Sequence, residues 1–261
     1  LTCDERALTA VDLAWLGAAA LAAGAINAVA GGGSLLSFPA LLAFGVPPVV
    51  ASATNSVAMA PGSLAAAYGY RRQLGDNARS AVWLSGVSAL GSVAGAALLL
   101  VTSERVFTWL VPLMVLLATT TLLFQGHVQR WAGAGDARPS RPRTLAVAGL
   151  LAFAAVYGGY FGAGIGIVTL GLLGLLRSMT IHRMNAIKSL VVGCINGVAA
   201  GYFLIRGVAE LPAAGVMAAG AILGGYGGAR LAQRVSPDRV RIVVVLIGAG
   251  LTLALAARYW L

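Results

Sequence analysis

Long apolar runs alternate with short charged, proline-containing or glycine-containing segments along the whole chain. A helix needs about 20 apolar residues to cross the hydrocarbon core of a bilayer, and most of these runs approach that length. The pattern therefore predicts an all-α polytopic membrane protein. The predicted runs cover residues 13–30, 35–46, 49–70, 81–101, 106–124, 145–161, 165–176, 184–205, 211–231 and 240–257.

Two of the runs, 35–46 and 165–176, are too short to span a membrane, because about 12 helical residues reach only about 18 Å. Each follows a glycine cluster, 31–34 in one case and 158–166 in the other. Irregular backbone at membrane depth is tolerated only inside protein or beside a water-filled cavity. We therefore expect two broken helix pairs, either V-shaped or re-entrant.

The two halves of the chain carry matching motifs at an offset of 131 to 133 residues. Residues 27–34 match 158–165, and residues 53–57 match 186–190. This predicts a first repeat over 1–125, a linker over 126–143 and a second repeat over 144–261. Each repeat has a broken pair and three transmembrane helices. Paired interruptions of this kind indicate the binding site of a secondary transporter.

Composition agrees, since 59% of the 261 residues are hydrophobic and 10% are charged. A soluble globular domain carries roughly 25% charged residues. The net charge of +10 could indicate nucleic acid or anionic lipid, but the positions of the basic residues favour a topological explanation. If each broken pair returns to the side it entered, most of the 18 basic residues share one face. They are Arg71, Arg72, Arg79, Arg130, Arg138, Arg141, Arg143, Arg177, Arg183, Lys188, Arg230, Arg234, Arg239 and Arg241.

That face is expected to be cytoplasmic, which puts both termini outside. Three full crossings per half make the second repeat inverted relative to the first, as in many secondary transporters. Glycine stripes at Gly91, Gly95, Gly220 and Gly224 predict close helix contacts, either within one chain or between the protomers of a homodimer.

The glycine breaks are candidate anion sites, because a helix N-terminus presents free amides and a positive dipole end. Ser34 is expected to cap the first short helix, and the amides of Gly164, Ile165 and Gly166 serve the second. The alternative is that the glycines only allow tight packing. Lys188 either contributes a positive charge to the site or extends to the lipid headgroups on the cytoplasmic side. Asn196 either binds the ligand or forms a hydrogen bond to another helix.

No Asp or Glu lies in the middle of an apolar run, which argues against a carboxylate proton relay or cation site. We find no glycine-lysine phosphate loop, no metal-ligand spacing and no nucleophile–base pair. The sequence thus predicts a protein that is not an enzyme, with no cofactor, no metal and no nucleic-acid partner.

Residues 25–39, 45–47 and 51–55, with 158–166, 185–188 and Asn196 in the second half, closely resemble the sulfite exporter TauE/SafE family. The resemblance implies a bacterial or archaeal plasma-membrane carrier for sulfite, organosulfonates and other small organic anions, often exported. It adds Asn27, Gly32 and Thr54 to the candidates. The full set of predicted substrate-binding residues is Asn27, Gly31, Gly32, Gly33, Ser34, Thr54, Asn55, Gly162, Gly164, Ile165, Gly166, Lys188 and Asn196.

Together these features predict a secondary transporter that exports sulfite or an organosulfonate by alternating access. An anion channel and a carrier of other small organic anions are the alternatives, followed by a membrane scaffold whose glycines only pack helices. Symmetry of the anion site is incomplete, because Ile165 stands at the position of Ser34.

Overall fold

The computed structural model describes residues 8–75, 78–132, 141–176, 179–232 and 237–260, and every regular element in these ranges is a helix. The first half of the chain supplies α1 to α6, and the second half supplies α7 to α11. The helices are α1 Ala10–Val29, α2 Ser34–Ala43, α3 Pro48–Gly69, α4 Arg71–Leu74, α5 Ala78–Val101, α6 Glu104–Ala132, α7 Arg141–Tyr160, α8 Ile165–Gly174, α9 Ile181–Ile205, α10 Leu211–Leu231 and α11 Pro237–Trp260.

Six helices of the described ranges contain a stretch long and apolar enough to cross a membrane, namely α1, α5, α6, α7, α9 and α10. The helices α2 and α8 have only 10 residues each and directly follow the two glycine clusters. The predicted all-α membrane architecture and its two short helices are therefore confirmed. Large apolar side chains such as Phe153 and Ile205 are exposed, as expected of a surface that faces lipid.

The predicted linker, residues 126–143, is helical at both ends. Helix α6 continues to Ala132 and α7 already begins at Arg141, while residues 133–140 lie outside the described ranges. The polar residues therefore end the apolar, lipid-compatible stretch of each helix, but the helix itself continues beyond that stretch. The division into two repeats stays a prediction.

Small residues bring helices from the two halves into backbone contact. A Cβ atom added to Gly224 of α10 would lie 1.9 Å from the carbonyl oxygen of Leu21 in α1. A Cβ on Gly91 of α5 would lie 2.0 Å from the carbonyl oxygen of Ala152 in α7. The predicted glycine stripes are thus contact faces inside one chain. The homodimer stays a prediction.

The main helix pairs each combine one helix from either half: α1 with α10, α3 with α10, α3 with α9, α5 with α7, α5 with α9, and α6 with α11. Helices α3 and α9 run in opposite directions. The backbone amide of Glu210, beyond the end of α9, donates to Thr54 near the start of α3. Further along, Gly193 of α9 packs against Leu64 of α3. Ala186, near the start of α9, lies in the same buried cluster as Tyr70, which follows the end of α3.

Candidate functional site

The two glycine breaks meet in the interior of the protein. A Cβ on Gly31 would lie 2.7 Å from the carbonyl carbon of Gly166, and a Cβ on Gly166 would lie 2.5 Å from the carbonyl oxygen of Gly31. Only glycine permits backbone to approach backbone this closely. The chain before α2 therefore touches the first turn of α8, and all residues of both breaks are buried.

The break before α2 differs from the prediction. Gly33 is the N-cap, no side chain caps the helix, and Ser34 is already its first residue. The predicted capping role of Ser34 is wrong, because Gly33 adopts helical angles (φ −58°, ψ −37°) whereas a capping residue takes an extended conformation. Helix α8 begins after Gly164, which is left-handed (φ +81°).

Several backbone amides at the two helix starts are free. Those of Ser34, Ile165 and Gly166 donate no hydrogen bond to any described backbone carbonyl, since the first internal bonds of α2 and α8 come from later residues. The side chain of Ile165 is a packing group, because it fills the space left by Gly158. The backbone amide of Ile165 is therefore the group that could donate to a ligand.

Asn196 of α9 faces the second break. Its side chain is 2% exposed, and its amide oxygen Oδ1 has no hydrogen-bond partner among the described residues. A Cβ on Gly162 would lie 3.3 Å from the Ser56 hydroxyl and 3.8 Å from Asn196 Oδ1. An unpaired buried polar group is unfavourable by about 1–3 kcal/mol, so Asn196 Oδ1 is a candidate for a bond to a group that the described residues do not supply.

Asn27 and Asn55 are buried close to the breaks and each bonds a serine. The Asn27 amide nitrogen donates to Ser63 (3.1 Å), and the Ser37 hydroxyl donates to Asn55 Oδ1 (2.6 Å). Asn27 Oδ1 also lies 3.1 Å from the position of a Cβ on Gly166. These bonds fix the orientation of both amides beside the meeting point of the breaks.

Lys188 is fully buried and bonded to the end of α1. Its ammonium donates to the carbonyl oxygens of Asn27 and Ala28 and to the side chain of Asn185. Of the two alternatives for Lys188, the structure excludes extension to the headgroups, because the side chain is held by the carbonyls at the C-terminal end of α1. The Lys188 nitrogen has three acceptors among the described residues, so its donors are used and none is left for a further group.

Two more side chains complete the cap of α1. The Asn185 amide donates to the Val29 carbonyl, and the Tyr70 hydroxyl donates to the Ala28 carbonyl, each at 3.3 Å. At the equivalent end of α7, the Ser52 hydroxyl reaches the carbonyls of Tyr160 and Phe161, both at 3.3 Å, and the Tyr157 hydroxyl donates to the Ala163 carbonyl within the break (2.8 Å). Ser52 and Asn185 are 133 residues apart, which is the repeat offset. That offset was the sequence signal for both caps.

The structure does not bring every candidate together. Thr54 uses its hydroxyl to accept the Glu210 amide at the connection from α9 to α10 (2.9 Å). Gly32 packs near Ile167 and Leu122, and a Cβ on Gly33 would lie 1.9 Å from the Ala23 carbonyl oxygen. The contacts of Gly32 and Gly33 are those of close packing.

The assembled groups are backbone amides, side-chain amides, hydroxyls and one ammonium. The described residues contain no group of three His, Cys, Asp or Glu side chains that could hold a metal ion. Positive helix ends and hydrogen-bond donors without a buried carboxylate suit an anion.

Similarity to known proteins gives the family of the chain. The family model described as "Sulfite exporter TauE/SafE" matches residues 16–255. The chain belongs to the TauE/SafE family. A Sinorhizobium "Probable membrane transporter protein ORF9" is 30% identical to this TauE/SafE protein over 95% of this chain and 96% of the relative.

A "Probable membrane transporter protein" of Haemophilus influenzae is 29% identical over 87% of this chain and 88% of its own length. The "Probable membrane transporter protein YfcA" of Escherichia coli K12 is 27% identical over 88% of this chain and 84% of its own length. No solved structure matches the chain at a significant level. This TauE/SafE protein is a multi-pass membrane transporter.

Proposed function

We propose that this protein exports a small sulfur-containing anion, sulfite or an organosulfonate, across the bacterial plasma membrane by alternating access. The observation that carries the proposal is the meeting of the two glycine breaks beside Asn196, whose buried amide oxygen has no partner. The family description supports the substrate class and the direction of transport.

The oxygens of a sulfur oxyanion accept several hydrogen bonds at once. The free amides of Ser34, Ile165 and Gly166 supply donors from both breaks. In our proposal the amide groups of Asn55 and Asn196 complete the site, with the Asn196 amide turned so that its nitrogen donates to the anion. Lys188 acts through its charge, because its donors are held by the end of α1.

Alternating access requires that each side of the site opens in turn. We propose that the halves are inverted repeats and that each broken pair gates one side. The antiparallel contact of α3 with α9 and the matched positions of Ser52 and Asn185 support this. The buried backbone contact of Gly31 with Gly166 favours a carrier in an occluded state over an open channel.

The proposed orientation keeps both termini outside and the arginine-rich loops in the cytoplasm. Arg71 and Arg230 lie together at one end of the bundle. Arg206 follows α9 at its opposite end from Lys188, as the inverted arrangement requires. Accessibility of single cysteines placed at Arg79 and Arg206 to a membrane-impermeant thiol reagent tests this orientation, in a background in which Cys3 and Cys194 are both replaced by serine.

Counterflow in proteoliposomes tests the transport proposal. Vesicles loaded with sulfite, a sulfonate, sulfate or a small carboxylate are assayed for uptake of labelled anion, with and without a pH gradient. A hydrogen bond to a charged group contributes about 1.5–3 kcal/mol, so Asn196→Ala is expected to lower the initial rate roughly tenfold to a hundredfold. Asn55→Ala is expected to have a similar effect.

The matched control is Gly197→Ala, which places a methyl group in open space one residue from Asn196. Its rate should stay within twofold of the parent protein at equal reconstitution. Unchanged transport in Asn196→Ala and Asn55→Ala would contradict the proposed site. Flux that does not saturate with anion concentration would favour the channel.

A further inference from the structure

A basic pocket lies at one end of helices α3 and α10 and includes no residue of the glycine breaks. It has a volume of about 400 Å³ and is lined by Gly69, Arg71, Arg72, Gln73, Ala229, Arg230 and Leu231. Three of these residues are arginines, and none of the described residues that line the pocket is acidic. The proposed transport mechanism makes no use of this pocket.

Two of the arginines are held in fixed positions by tyrosines. The guanidinium of Arg71 lies 4.3 Å from the ring centre of Tyr68, and that of Arg230 lies 5.1 Å from the ring centre of Tyr226. The two tyrosine rings stack on each other with centres 6.2 Å apart. The four side chains therefore form one row across α3 and α10, which orders both cations before any ligand arrives.

Among the described residues, each arginine of this row makes one hydrogen bond. Arg71 donates to the Tyr68 carbonyl (3.1 Å), and Arg230 donates to the Tyr226 hydroxyl (2.8 Å). A guanidinium has five donors, arranged to pair with two oxygens of a phosphate. Gln73 adds an amide oxygen that is buried and without a partner among the described residues. The pocket thus offers cations to a phosphate and an acceptor to a hydroxyl.

Exposed apolar side chains lie within two helical turns of the two arginines on α3 and α10. Tyr68 is 59% exposed, and Leu64, one helical turn before it on the same face, is 44% exposed. On α10, Leu223 is 67% exposed and lies three residues before Tyr226. These exposed apolar side chains precede the arginines along α3 and α10 and could contact acyl chains. A soluble anion would make no use of them.

We propose that the basic pocket binds an anionic glycerophospholipid with a hydroxyl-bearing headgroup, of which phosphatidylglycerol is the simplest case. Arg71 and Arg230 hold the phosphodiester, with Arg72 at the rim. A headgroup hydroxyl donates to Gln73, and the acyl chains lie along Leu64 and Leu223. Basic pockets between membrane helices commonly hold anionic headgroups. This inference is independent of the transported anion and of the orientation in the membrane.

Lipid binding to the purified, delipidated protein tests the inference. Native mass spectrometry counts bound lipid, and thermal unfolding in detergent measures stabilisation by added phosphatidylglycerol, phosphatidylcholine or inorganic phosphate. Each basic side chain near a membrane surface contributes about 1 kcal/mol to anionic lipid binding, so Arg71→Gln with Arg230→Gln should weaken phosphatidylglycerol binding about 30-fold. Each single variant should weaken it about fivefold, which keeps the test usable if the double variant does not fold.

Arg206→Gln is the matched control. Arg206 also lies over a tyrosine four residues earlier, Tyr202, at 5.2 Å and with a hydrogen bond of 3.2 Å, but it does not line the basic pocket. Its binding of phosphatidylglycerol should equal that of the parent. Equal loss in Arg206→Gln, equal stabilisation by phosphatidylcholine, or unchanged binding in the double variant would overturn the inference. Stabilisation by inorganic phosphate as strong as by the lipid would overturn the lipid as occupant.

Discussion

The two glycine breaks occupy equivalent places in the halves of the chain, yet they are held very differently. At the first, the end of α1 receives hydrogen bonds from Lys188, Asn185 and Tyr70. At the second, the described residues supply neutral hydroxyls: Ser52 donates to the end of α7 and Tyr157 donates to the Ala163 carbonyl (2.8 Å), while Asn196 Oδ1 has no partner among them. We infer that the first break is a fixed support that carries charge, whereas the second adapts to a ligand.

The largest effect should come from removing the charge at the first break. Lys188→Met leaves the terminal carbonyls of α1 without their cation, and the loss of hydrogen bonds to a buried charged group should lower the free energy of unfolding by about 3 kcal/mol. Transport should also be lost, because the proposed site loses its only ammonium. Unfolding in mixed micelles and counterflow measure the two effects. A stability close to that of the parent would remove the distinction between the breaks.

The contact between the breaks should be the next most sensitive feature. Gly166→Ala forces a methyl group against the Gly31 carbonyl, and overpacking of this kind typically destabilises by about 2 kcal/mol. Gly171→Ala lies in the same short helix with open space around it. Because alanine favours helix, this control should stabilise the protein by about 0.5–1 kcal/mol. If Gly166→Ala and Gly171→Ala unfold at similar temperatures, the two breaks are not in tight backbone contact.

The cap at the second break should matter least for stability. Ser52→Ala removes one neutral hydroxyl from the Tyr160 and Phe161 carbonyls, and the expected loss is about 1 kcal/mol. The measurement compares the free energy of unfolding of Ser52→Ala with that of Lys188→Met under identical conditions. A loss as large as that of Lys188→Met would mean that both breaks are equally rigid, contrary to our inference.

The sequence was sufficient to locate the breaks and the short helices, because glycine clusters and run lengths are local signals. It also placed Asn55 and Asn196 on α3 and α9, where each lies buried near a break. The glycine stripes predicted helix contacts, since small residues at every fourth position have few other uses in a membrane.

The failures have a common physical cause. The capping role assigned to Ser34 depended on the backbone angles of Gly33, and a glycine adopts nearly any conformation. The position of Lys188 depended on where the end of α1 lies, which is set by packing between residues about 160 positions apart in the chain. Thr54 lies on the same short segment as Asn55, but it faces the connection before α10.

The pairing of helices across the halves has a consequence for how the protein is made. Helix α1 packs mainly on α10, and α5 packs on α7 and α9. Gly17 and Gly24 of α1 pack on α10, so when the ribosome has inserted α1 to α6 this glycine face of α1 still lacks its partner, which is translated almost 200 residues after α1. Assembly of the first half therefore cannot be completed during its own synthesis. A ribosome that stalls before α10 would leave a membrane-inserted intermediate with unpaired glycine surfaces, a natural substrate for membrane quality-control proteases.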